Sequence, residues 1–141
     1  MIGLAPTGSG KSAAFLIPLI CYISNLPRVQ GDIAADGPYG LILAPSRELA
    51  SQIHDEFKKL TKFTNLRSAA VIGGKIAEEQ AIVLAGGVEV VIGTPGRILD
   101  CIDRTYLVLN QCQWVILDEA DKMIDLGFEE EVNQILDFIP E

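Results

Sequence analysis

The sequence predicts an α/β fold: a doubly wound parallel sheet with helices on both faces. Two observations carry that expectation. Short runs rich in Val, Ile and Leu, ending in Gly, Pro or a carboxylate, alternate with stretches whose apolar residues recur every three or four positions. The short runs are also continuously apolar. Strands buried on both faces need that pattern, and a parallel sheet with right-handed helical crossovers provides the burial.

In chain order, "MIGLA" (1–5) reads as a strand and leads through a glycine-rich loop into a helix over "KSAAFLIPLICYI" (11–23). The next stretch, "NLPRVQGDIAADGPYG" (25–40), reads as an exposed irregular loop punctuated by Pro27, Gly31, Gly37 and Pro38. "YGLILAP" (39–45) is a strand, followed by a helix over "RELASQIHDEFKKL" (47–60) with Leu49, Ile53, Phe57 and Leu60 on one face. Strand "SAAVIGG" (68–74) precedes helix "IAEEQAIVLA" (76–85), and strand "VEVVIGTP" (88–95) precedes helix "RILDCID" (97–103). Strand "WVILDEA" (114–120) and helix "FEEEVNQILDFI" (128–139) complete the series.

With 141 residues, 49% of them apolar and 21% charged, the chain is long enough for one domain with one core. The apolar stretch from Ala13 to Ile23 is interrupted by Pro18 and is shorter than the ~20 residues of a membrane span. No basic segment followed by an apolar one and a small-residue cleavage site opens the chain, so an intracellular protein without a membrane partner is expected. Cys21, Cys101 and Cys112 are odd in number and far apart, which favours buried thiols over disulfides or a zinc site. His54 stands alone on a charged helix and is expected to be solvated. The net charge of −8 excludes a surface that grips nucleic acid everywhere, because neutralising phosphates takes Lys and Arg; any such contact must be local. The acidic stretch 125–141 reads as a solvated helix face.

Two motifs carry chemistry. "APTGSGKS" places Gly8 and Gly10 where backbone N–H groups turn inward, then Lys11 and Ser12 at a helix start whose dipole favours an anion. Ala5, Pro6, Thr7, Gly8, Ser9, Gly10, Lys11 and Ser12 would cradle a nucleotide, with Lys11 on the outer phosphates and the Ser12 hydroxyl on Mg²⁺. The strict pattern has glycine where Ala5 stands, a difference of one methyl. The plain alternative is a glycine-rich turn capping a helix. The second motif is "VILDEADKM". Asp118, Glu119 and Asp121 follow directly on an apolar strand, and burying such charges costs several kcal/mol each unless a cation answers them. Mg²⁺ with a nucleotide meets that need, Asp118 holding the metal through water and Glu119 polarising the attacking water. An acidic helix cap is the alternative.

"APTGSGKS", "PSRELA", "IGG", "TPGR" and "DEAD" occur in this order. Together they resemble the first RecA-like domain of DEAD-box ATP-dependent RNA helicases, a P-loop NTPase fold, over essentially the whole chain. The resemblance implies ATP and Mg²⁺ as cofactors, Lys11, Asp118 and Glu119 as the catalytic set, and Asp121 as the residue coupling the site to neighbouring motifs. It also implies RNA contacts at Pro45, Arg47, Gly73, Gly74, Thr94, Gly96 and Arg97. Physical sense agrees: Pro45-Ser46 and Thr94-Pro95 read as helix starts with free N–H groups, the glycines allow close backbone approach, and the arginines add bidentate charge. Contacts of this kind grip backbone and give little sequence specificity.

Ser12 and Ser46 stand where the family usually has threonine. The family's adenine-reading aromatic and glutamine, its Ser-Ala-Thr motif and its second RecA-like domain have no counterpart in residues 1–141, so a domain truncated at both ends is expected. By itself it should bind Mg-nucleotide weakly and neither hydrolyse ATP usefully nor unwind RNA. "YLVLNQCQWVILDEADKMIDLGFEEEV" and the region around "GPYGLILAPSRELASQI" are similar to the family's spliceosomal members that act at the 5′ splice site. That implies pre-mRNA splicing, a nuclear location and spliceosomal protein partners. A generic P-loop NTPase and a catalytically dead RNA- or protein-interaction module remain as other readings.

Overall fold

The computed structural model describes residues 2–5, 12–26 and 33–140, and for residues 2–5 the backbone alone. Pro6, Thr7, Gly8, Ser9, Gly10 and Lys11 lie outside the described residues. Twelve elements follow one another: β1 (Ile2–Ala5), α1 (Ser12–Ser24), α2 (Ile33–Asp36), β2 (Gly40–Leu43), α3 (Arg47–Leu60), β3 (Ser68–Val71), α4 (Ala77–Ala85), β4 (Val90–Gly93), α5 (Pro95–Asp103), β5 (Trp114–Asp118), α6 (Ala120–Asp125) and α7 (Glu129–Asp137). The strands form one parallel sheet in the order β1-β5-β2-β4-β3.

Alternation along the central strands decides which helices cover which face. Leu41, Leu43, Val91, Val115 and Leu117 share a core with Leu84 of α4, Ile98 of α5, Met123 of α6 and Ile135 of α7. Their neighbours Ile42, Val90, Ile92 and Ile116 point the other way, to Leu16, Leu19 and Ile23 of α1 and Ala50, Ile53 and Phe57 of α3. The sheet is therefore covered on both faces, as its continuous apolar runs require. Close packing also dictates glycine at the end of β4. A β-carbon on Gly93 would run into the Val71 carbonyl and the Ile98 side chain.

Several expectations are corrected. The 25–40 stretch contains a helical turn, α2, where irregular loop was expected, and Gln111 Nε2 donates to the Gly37 carbonyl at 2.6 Å to tie its end down. α6 was not foreseen, because six residues carry too little apolar period to read. Cys21 is exposed while Cys101 and Cys112 are buried; it lies off the stripe of Leu16, Leu19 and Ile23 that α1 turns inward. His54 is not merely solvated. It is half-buried, its Nε2 lies 2.8 Å from the Ser68 hydroxyl, and burial lowers its pKa, with the Lys58 charge adding to the effect.

Candidate functional site

All five strands described are parallel, so their carboxyl ends share one side of the molecule, and every sequence-predicted site residue among those described lies at or just after such an end. β1 and β5 are neighbours in a register that sets Ala5 opposite Asp118. β1 therefore ends beside the acidic tip of β5, and half-buried Ser12 is the first residue of α1. The expected role of residues 6–11 falls outside the described residues.

Of the three carboxylates at the β5 tip, one is buried. Asp118 is 6% exposed, Glu119 is half-buried and Asp121 is exposed, so the expected burial of all three charges is corrected to one. Burial pushes the Asp118 carboxyl up to about 6, the Glu119 charge pushes the same way, and a hydrogen bond from the Glu119 N–H opposes them. The nearby cation, Lys122, pairs instead with Glu119, Nζ to Oε1 at 3.4 Å. Glu119 adopts the left-handed conformation, φ 53° and ψ 50°, uncommon for a residue with a β-carbon and a form of strain that fixes where its side chain goes. Among the described residues no three His, Cys, Asp or Glu side chains converge on a point. A hard cation that keeps several waters and leans on phosphate oxygens needs no such cage. One buried carboxylate with no cation paired to it among the described residues, and a hydroxyl at the start of the neighbouring strand's helix, therefore fit Mg²⁺ in type and number.

The other strand tips build a cleft. Pro45, Ser46, Arg47, Glu48, Gly73, Thr94, Gly96, Arg97, Asp100 and Phe128 line about 480 Å³ of open space. A contiguous depression of about 360 Å³ adds Gly74 and Lys75. All seven residues expected to face RNA are thus brought to one surface. α3 begins here with Ser46 as its cap, the hydroxyl accepting from the Leu49 N–H at 3.1 Å. α5 begins here with Thr94 in extended backbone and Pro95 in the first turn. The Thr94 hydroxyl makes no capping bond, and the first helical bond is Ile98 N–H to Thr94 carbonyl, 3.0 Å, so the amides of Gly96 and Arg97 precede the helix's own ladder. A β-carbon on Gly96 or on Gly73 would meet nothing within 4 Å, leaving the backbone open to a ligand.

Of the residues lining the larger cleft, three were not anticipated: Glu48, Asp100 and Phe128. Phe128 caps α7 and packs its partly buried ring on the core, reaching the cleft because α7 lies against α5. Nothing local to "LGFEEE" signals that contact. Asp100 is paired within its helix, accepting from Arg104 Nε at 3.1 Å.

Comparison with known proteins gives a consistent result. Residues 1–141 match the model of the DEAD/DEAH box helicase family. The pre-mRNA-splicing ATP-dependent RNA helicase prp28 of Aspergillus niger is 57% identical over 142 residues, covering 99% of this chain and 18% of that protein. The DEAD-box ATP-dependent RNA helicase 21 of Oryza sativa is 50% identical, covering 99% of this chain and 19% of that protein. The chain therefore spans less than a fifth of the length of these relatives. Among solved structures, the yeast DEAD-box splicing factor Prp28 superposes with a TM-score of 0.89 at 41% identity, over 99% of this chain and 32% of that one. A DEAD box protein from the hyperthermophile Methanococcus jannaschii gives 0.80 at 41% identity, over 99% and 36%.

Proposed function

On the premise that this chain belongs to the DEAD/DEAH box helicase family, we propose that residues 1–141 form the first RecA-like domain of an ATP-dependent RNA helicase acting in pre-mRNA splicing. One observation carries the reading. The permuted sheet order sets Ala5 and Asp118 on adjacent tips, β1 and β5, and brings Pro45, Gly73 and Thr94 to the other three, β2, β3 and β4, which supports reading the first pair as a nucleotide site and the trio as an RNA site.

At the first pair of tips the amides of residues 5–12 would bind phosphate and Lys11 would reach the outer phosphates. Ser12 and Asp118 would hold Mg²⁺, which when bound neutralises charge on the phosphoryl oxygens. Glu119, fixed by its left-handed backbone and by Lys122, polarises the attacking water. Asp121, in the first turn of α6, couples this end to its neighbours. At the other tips the amides of Gly96 and Arg97, the guanidiniums of Arg47 and Arg97, and the bare backbone at Gly73 take the sugar-phosphate chain, with Pro45 and Thr94 shaping the helix starts and Gly74 completing the turn. Contacts of this kind explain how a chain of net charge −8 binds RNA locally, and they select little sequence. Turnover and duplex remodelling belong to the whole protein, with charge supplied across a cleft by a second RecA-like domain. The likeness to splicing helicases extends the proposal to the nucleus and to spliceosomal partners.

A fluorescent ATP analogue with Mg²⁺ tests the first half of the site and a 12-mer oligouridylate the second. Lys11→Ala should abolish nucleotide binding and spare RNA binding, and Arg97→Ala should do the reverse. Nucleotide bound equally by Lys11→Ala, or RNA ignored by the intact chain, would defeat the reading.

A further inference from the structure

We infer that Gly74 is a positioning residue for Arg47, and that the two adjacent glycines of the 73–75 turn do different jobs. Gly73 has open space where a side chain would begin, whereas at Gly74 that position is filled by the Arg47 guanidinium: a β-carbon there would run into Nη1, with Cζ at 3.4 Å and Cδ at 3.9 Å. Gly74 is also left-handed, φ +81°, so the turn that receives the guanidinium depends on glycine twice. The inference rests on the RNA reading of the cleft.

The contact has a physical purpose. Arg47 is the first residue of α3 and its side chain is exposed. A long side chain in that setting loses substantial rotamer entropy when a ligand orders it. A planar guanidinium grips phosphate well only when its fork is aimed beforehand. The turn after β3 lies over the start of α3 because α3 packs against β3 and β4. A turn without a side chain at Gly74 gives the guanidinium a seat at the mouth of the cleft, where Arg47 and Gly73 line both depressions. Gly73 is then the glycine left for the ligand and Gly74 the glycine left for the arginine.

The test separates backbone strain from collision. Asn tolerates the left-handed region far better than Ala but carries a β-carbon, so Gly74→Asn keeps the turn and evicts the guanidinium. In ¹H–¹⁵N spectra of the chain, with the Arg47 Nε–H signal assigned through Arg47→Lys, Gly74→Asn should move that signal and speed its exchange. Gly73→Ala should leave it in place, and thermal melting confirms that each variant folds. In anisotropy titrations with a 12-mer oligouridylate, Gly74→Asn should weaken binding several-fold. It should also lower the salt slope by about 0.7, one phosphate contact on a single strand, and add nothing in an Arg47→Ala background. An Arg47 signal identical in wild type and Gly74→Asn overturns the inference, as do losses that multiply in the double variant. If Arg47→Ala itself binds RNA like wild type, the RNA reading of the cleft fails, and the Nε–H signal still decides whether Gly74 seats Arg47.

Discussion

Replacing Asp118 with asparagine should stabilise the nucleotide-free chain, and by an amount that grows with pH. The Asp118 carboxyl rises on folding from an ordinary 3.8 to about 6. A raised carboxylate pKa means that folding disfavours the charged form. Below about pH 4 the group is protonated in both states and costs nothing; above about pH 6 it is ionised in both, and the folded chain bears the whole penalty. A shift of about two units at ~1.4 kcal/mol each sets the upper bound of that penalty at about 3 kcal/mol, and any solvent that reaches the carboxyl screens part of it. Urea unfolding of wild type and Asp118→Asn from pH 4 to pH 8, without nucleotide or divalent cations, measures it. Titrating groups that do not sense Asp118 cancel in the difference, which leaves Asp118 and the Glu119 charge coupled to it. The variant's advantage should climb by about 2–3 kcal/mol across the window, and Mg-nucleotide should restore the wild type alone, since a ligand that binds only the folded state stabilises it. A difference that stays flat with pH would refute the claim that Asp118 is a buried charge awaiting a cation.

Three further outcomes follow from the packing. Gly93→Ala should cost about 1–3 kcal/mol in urea unfolding, because the added methyl meets the Val71 carbonyl and the Ile98 side chain in a filled layer; an unchanged midpoint would contradict that geometry. His54, whose pKa burial and Lys58 hold below 6.5, leaves the chain fully stable at higher pH and removes stability as pH falls below that value. Relative to wild type, His54→Gln should gain stability as pH falls from 7 to 5, and melting temperatures that move in parallel in the two proteins would count against it. Cys21 should be the thiol labelled in the native chain at pH 8, with Cys101 buried and Cys112 both buried and raised by burial to about 12; native labelling of Cys112 at a comparable rate would show that the α5–β5 layer opens.

The central strands β2, β4 and β5 were readable because continuously apolar runs leave a sheet buried on both sides as the way to cover them. The α3 stripe was readable for a similar reason: Ile53 and Phe57 are fully buried, while Leu49 and Leu60 flank them partly buried. In α4 the same reasoning loses its grip. Ile82 and Val83 are 74% and 51% exposed while Gln80 is buried, its Nε2 donating to the Ile72 carbonyl at 2.8 Å. Period alone cannot foresee that exchange, because a backbone carbonyl beyond the end of β3 recruits the amide. His54 was misjudged similarly: its partner Ser68 lies fourteen residues away, on a strand that α3 crosses. Contacts set by tertiary approach leave no trace in local composition.

Strand order is the larger instance. In sequence the motifs read for the nucleotide are split apart: a phosphate loop opens the series, three turns expected to meet RNA follow, and the carboxylates close it. The sheet sends β5 between β1 and β2, and that one crossover divides the tips into a pair and a trio. The pair sets Ala5 opposite Asp118 and the trio leaves Pro45, Gly73 and Thr94 around one cleft. The two groups meet at a single strand pair, where Leu43 stands opposite Leu117 and both side chains sit in one core. Asp118 and Ala44 are the next residues on those strands. A rearrangement at the acidic tip therefore lies one residue and one strand from the turn that starts α3 and carries Arg47. If β5 had joined the far edge beside β3, each motif would be intact, yet the carboxylates and the phosphate loop would face opposite ends of the sheet.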